Sequence, residues 1–258
     1  MSCVTFRRTR LQALHADVSR AFAHIPEVYR VRVVDASADG ELVRERLEVM
    51  GLGFDASRAG SAVHATCDRV TVVCLSKEMS DRACEIAQYV ACICRLWRYT
   101  KPVKIIVAAR RASKVVSFRR PLVMDDINSG VTYHKDGTII MFRSDPDFWK
   151  VLCHECIHLC RGEDDEAKTE FEALLVHTMV VSSDWGDFTR RFDEQKRRSR
   201  ANSDVLRHVH PGDTNAARYW QVGCEMLHNA EDVLGGRWRK VALRPGDFVL
   251  YVLDSDGS

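Results

Sequence analysis

The residues best suited to chemistry in this chain are His154 and His158, four apart in "HECIH", with Glu155 directly after the first. On an α-helix, residues i and i+4 project from one face, about 40° apart. That spacing lets two imidazoles reach one Zn²⁺ at about 2.0–2.1 Å. Glu155 sits about 100° round the helix from His154, so it can serve as general base towards a water at the metal without being a ligand.

A catalytic zinc needs a third protein ligand and an open fourth position. Gly162 lies four residues after His158, and Glu166 lies four residues after Gly162. If the chain reverses at Gly162 as an αα-hairpin, Glu166 comes opposite His158 and Glu170 opposite His154. Glu166 is then the expected third ligand, with Glu170 or Glu163 as substitutes. In the first case Glu170 accepts the other ring N–H of a ligand histidine and fixes its tautomer. Glu163, Asp164 and Asp165 read as turn and N-cap acids of a second helix.

Cys153, Cys156 and Cys160 pose a competing metal site. On the same helix they cluster at about 0°, 300° and 340°, whereas the histidines lie at about 100° and 140°. The two sets diverge, and the cysteines are expected to pack into the core beside Trp149 and Ile157.

The elements that must position these residues follow from the pattern of the chain. Residues 1–65 give a helix, a short strand at "YRVRVVDA" and a helix in "ELVRERLEVMGL". "RVTVVCL" (69–75) and "VKIIVAA" (103–109) are strands by their β-branched content, separated by one long apolar-periodic helix over 77–100. "GVTYHKDGTIIMF" (130–142) is a hairpin turning at "KDG", and "GTIIMF" is expected to be an edge strand open to an extended peptide. Asp145 as N-cap, Pro146 at the first helical position and Gly162 as C-cap bracket the histidine helix. A helix over about 165–181, another over about 214–233 and a strand at "GDFVLYVL" complete the chain. The stretch 184–213 is polar with turn signals at both ends, and its arginine-rich part, "RRFDEQKRRSR" (190–200), is expected to be a solvated helix end or mobile loop. It carries Asp193 and Glu194 and little aromatic interleaving, which weighs against nucleic acid.

Composition sets the frame. At 258 residues the chain can bury a sizeable core, and a formal charge of +2 is too small to make nucleic acid or membrane the main partner. No run of 18 apolar residues exists, and the arginine-bearing start lacks the apolar block of a secretory signal. Ten cysteines, mostly inside apolar runs, read as reduced, so the protein is expected to be intracellular, cytoplasmic or nuclear.

"HECIH" followed by "DEAKTE" resembles the gluzincin metallopeptidases, whose pattern is H-E-x-x-H and then N-E-x-x-[ST]-[DE]. Glu166 matches the zinc-binding acid of that pattern, and Glu170 the acid four residues on. Asp165 stands where asparagine is usual, and the short spacer is similar to that of the ImmA/IrrE group and other minimal gluzincins. A weaker similarity joins "DTNAARYWQVGCEML" (213–227) to a Thr-Asn…Tyr-Tyr segment in peptidase-like proteins of large DNA viruses. With the motif helix it covers about 140–230. Through it, Tyr219 becomes the first candidate to stabilise the oxyanion of the transition state, with His208 and His210 in "RHVHPGD" as alternatives.

The resemblance implies an α+β, zincin-like fold: a small mixed sheet with a backing helix and an edge hairpin, an active-site helix and a mostly helical C-terminal lobe. The boundaries expected are 1–65 for an α/β extension packed on the core and 66–258 for the catalytic domain, with lobes 66–162 and 163–258. The function implied is zinc-dependent hydrolysis of a peptide or protein substrate, with one zinc per chain. The alternatives are a non-enzymatic zincin-fold scaffold, such as a virion component, and a nucleic-acid-binding module through 190–200.

Overall fold

The computed structural model of the chain describes residues 9–56, 61–110, 129–144, 147–162, 166–209, 222–235, 238–242 and 249–253. The chain divides into two compact units: Ala21–Asp164, and Met1–Arg20 together with Asp165–Ser258.

The first unit is built on a six-stranded mixed sheet in the order β1-β2-β3-β4-β6-β5. Its strands are β1 (Arg30–Asp35), β2 (Ser61–Cys67), β3 (Val70–Cys74), β4 (Val103–Arg110), β5 (Gly130–Tyr133) and β6 (Thr138–Arg143). β3, β4 and β6 run parallel, while β1, β2 and β5 are antiparallel to their neighbours. The central strands are apolar almost without interruption, as strands covered on both faces must be. Ile105, Ile106, Ile139, Ile140 and Met141 all have no exposed surface.

One face is covered by α2 (Ser37–Val49), whose Val43 and Leu47 pack with Leu52, Ile106, Ala108, Ile140 and Phe142. The other is covered by α4 (Ala83–Leu96) and α5 (Phe148–Arg161), both with strongly amphipathic sequences and buried Ile86, Val90, Ile93, Leu152 and Ile157. On the α2 face, Lys104 donates to Asp39 at 2.5 Å, and His64 Nε2 lies 3.8 Å from the same carboxylate.

Three expectations change here, and one strand is added. "GTIIMF" is not an edge strand: β6 lies between β4 and β5, and β5 is outermost. Its six residues are all buried, as the unbroken apolar run requires of an interior strand. The helix expected over 77–100 is two helices, α3 (Lys77–Ser80) and α4, because the chain turns at Asp81 and Arg82. β2 is a strand that the sequence reading left out. The N-cap of α5 is Asp147, whose carbonyl accepts from Val151 N at 2.9 Å. Asp145 and Pro146 lie outside the described residues. The C-cap is as expected: Gly162 adopts φ +64 and its N–H bonds to the His158 carbonyl at 2.8 Å.

The second unit is mainly helical. It includes most of α1 (Arg10–Ala23), α6 (Glu166–Val180), α7 (Trp185–Val209), a helical segment over 222–228 (α8) and α9 (Ala230–Leu234). A two-stranded antiparallel sheet pairs β7 (Trp238–Ala242) with β8 (Val249–Leu253). The Glu231 carboxylate accepts from the backbone N–H groups of Arg10 and Leu11 at 2.9 and 3.1 Å, satisfying donors at the start of α1. Residues 190–200 are neither a loop nor a helix end: they lie inside one 25-residue helix, residues 185–209. Its polar face is laced by Asp187 with Arg190 and Arg191 and by Glu194 with Arg198. Its apolar stripe, Phe188 and Phe192, is buried and stacked at 5.5 Å. No described helix is long and apolar enough to cross a membrane.

Candidate metal centre

The histidine pair sits where the 3.6-residue repeat puts it. α5 buries Val151, Leu152, Cys153, Cys156, Ile157 and Leu159 against the sheet and α4, which leaves His154 half-buried and turned aside with His158. The two rings meet edge to face, with centroids 4.6 Å apart. Their Nε2 atoms are 2.9 Å apart. That is the separation of two nitrogens each about 2.0–2.1 Å from a shared ion at an angle near 90°, so a small opening of the pair reaches the tetrahedral value.

Among the described residues, the donor atoms of His154, His158 and Glu166 lie within 4.8 Å of one another, which makes them a group that could hold a metal ion. Two imidazoles and one carboxylate suit zinc better than calcium or magnesium, which prefer all-oxygen shells. Glu166 is the first residue of α6 and is exposed, and Glu170 is half-buried one turn further along.

The cysteines of α5 behave as the sequence suggests. Cys153 and Cys156 are buried and Cys160 is half-buried. Burial pushes the Cys156 thiol well above its ordinary pKa, with Cys94 next in effect.

Glu155 is 8% exposed. Its carboxylate lies along β5 rather than in solvent: Thr132 Oγ1 is 2.7 Å from Oε2 and 2.9 Å from the Glu155 carbonyl oxygen. Gly130 leaves the room that the Glu155 side chain fills. A Cβ there would stand 2.9 Å from Glu155 Cγ and 3.2 Å from Oε1. Neither Thr132 nor Gly130 was singled out in the sequence, and the only hint was alternation in "GVTY", which puts both on the face away from Val131 and Tyr133.

Three residues were expected as candidate donors to the oxyanion. His208 lies within α7, while His210 and Tyr219 fall outside the described residues, as does Glu163. Comparison with protein-family models, curated proteins and solved structures found no match to the chain.

Proposed function

We propose that this chain is a zinc-dependent peptidase of the gluzincin type, with a zincin-like fold in which α5 is the active-site helix. The observation that carries the reading is the arrangement on α5. Two imidazole nitrogens lie 2.9 Å apart, and a nearly buried carboxylate from the intervening turn is held against the outermost strand. His154 and His158 would hold the ion with Glu166, and the 4.8 Å grouping of their donor atoms supports that assignment. Glu170 would orient a ligand histidine.

Zinc, when bound, supplies Lewis acidity: it polarises a carbonyl and makes water a nucleophile near neutral pH. The chain's own residues move the proton. Glu155 takes it from the attacking water as the oxygen adds to the carbonyl carbon, then delivers it to the amide nitrogen as the C–N bond breaks. Among the described residues β5 is an end strand of the sheet, and an extended peptide would pair with its outer edge. Tyr219, with His208 and His210 as alternatives, would donate to the developing oxyanion.

A Glu155→Gln variant tests the reading. It is expected to keep one zinc per chain while hydrolysis of an unstructured protein such as casein falls by at least a hundredfold. A variant indistinguishable from wild type in hydrolysis overturns the peptidase reading. Where neither form hydrolyses the substrate, a zinc-holding scaffold without turnover remains.

A further inference from the structure

We infer that Thr132 and Gly130 are positioning residues for Glu155, together forming a seat on β5 that fixes the carboxylate in one orientation. The contact stands on geometry alone, while its catalytic consequence rests on the peptidase reading above. Along β5 side chains alternate between faces. Val131 and Tyr133 pack with the α2-side cluster around Ile140 and Phe142. Gly130 and Thr132 therefore address α5, two consecutive same-face positions about 6.6 Å apart along the strand, and Glu155 occupies both.

Each position does something different to the carboxylate. Glycine at 130 makes room, because a Cβ there would meet Glu155 Cγ and Met141 Sδ at 2.9 Å each. Contacts that close force a neighbour to move, and the glutamate stem is one of the two that would have to. Threonine at 132 supplies direction. Its hydroxyl has one proton, and a carboxylate oxygen at 2.7 Å is the stronger of its two acceptors. A glutamate has three rotatable torsions, and a general base that samples several of them spends less time within reach of the water it must deprotonate. The seat removes that freedom before any substrate arrives.

Two measurements test the inference. In a double-mutant cycle on metal-free protein, Thr132→Val is expected to lower the melting temperature by about 4–8 °C in the wild-type background and by much less in a Glu155→Ala background. An equal drop in both backgrounds overturns the contact. In zinc-loaded protein acting on a quenched fluorescent peptide, Thr132→Val is expected to lower kcat roughly 10–100-fold with zinc content and KM unchanged. Thr132→Ser is expected to recover most of that loss, whereas Gly130→Ala, which displaces the stem, is expected to behave like Thr132→Val. Wild-type turnover that survives Thr132→Val intact overturns the positioning role. Absence of turnover in the wild type itself overturns the peptidase reading instead, and the thermal cycle then still decides the seat.

Discussion

Gly137 closes the turn between β5 and β6, and the hairpin it closes carries the seat for Glu155, so its replacement by alanine has a calculable cost. Gly137 adopts φ +68, and a Cβ there would stand 2.6 Å from the Pro102 carbonyl oxygen. That oxygen belongs to backbone at the start of β4, and Lys104 N donates to the Gly137 carbonyl at 2.9 Å from the same region. Neither partner can swing away as a flexible side chain would. Two terms therefore add: about 1–2 kcal/mol for a left-handed alanine and about 1–3 kcal/mol for forcing atoms into filled space. Gly51 is an internal control. It has φ +72 with nothing within 4 Å of its would-be Cβ, so Gly51→Ala carries only the first term. Urea unfolding of both variants, read as midpoint shifts at constant m-value, is expected to show Gly137→Ala less stable than Gly51→Ala by about 1–3 kcal/mol. Equal losses would refute the steric reasoning and leave only the dihedral penalty.

Other elements give equally concrete expectations. Phe188 is 1% exposed and its ring lies 5.2 Å from Trp185 and 5.5 Å from Phe192, so Phe188→Ala is expected to cost about 3–5 kcal/mol in chemical unfolding. The Asp187 carboxyl is held down to about 2 by the Arg191 guanidinium, then by the Ser183 N–H and Arg190. Its contribution to stability is therefore present above about pH 4 and lost as pH falls towards 2. Thermal unfolding followed by circular dichroism should show Asp187→Asn less stable at pH 7 and less sensitive than wild type across that acid window. Several cations of α7 are already paired along the helix, so fluorescence anisotropy with a labelled DNA duplex at 150 mM salt is expected to give no binding tighter than about 10⁻⁶ M. Steep, salt-dependent binding at lower concentration would revive the nucleic-acid reading.

The parts of the fold that were legible in the sequence are those where one physical signal dominates. β-branched runs gave β3 and β4, the "KDG" turn gave the hairpin, and Gly162 marked the end of α5 because a left-handed cap favours glycine. The stop of α4 was not legible, since the left-handed residue after it is Arg98, at φ +55, with no glycine to announce it. β2, "SAVHATC", is rich in small residues and offers little periodicity, yet it buries Ala62, Ala65 and Cys67 between two neighbours. The length of α7 was hidden because its support comes from i,i+3 and i,i+4 ion pairs more than from an apolar face. At the candidate site, the spacing of His154, Glu155 and His158 could be read directly. Thr132 could not, because only strand pairing and helix packing bring residue 132 to residue 155.

The most direct test of the account is elemental analysis of the purified protein after zinc loading, wild type beside His158→Ala and Glu166→Gln. One zinc per chain is expected in wild type, none retained through dialysis in His158→Ala, and a 10–100-fold weaker site or none in Glu166→Gln. Zinc-free wild type, or full zinc in His158→Ala, would contradict it.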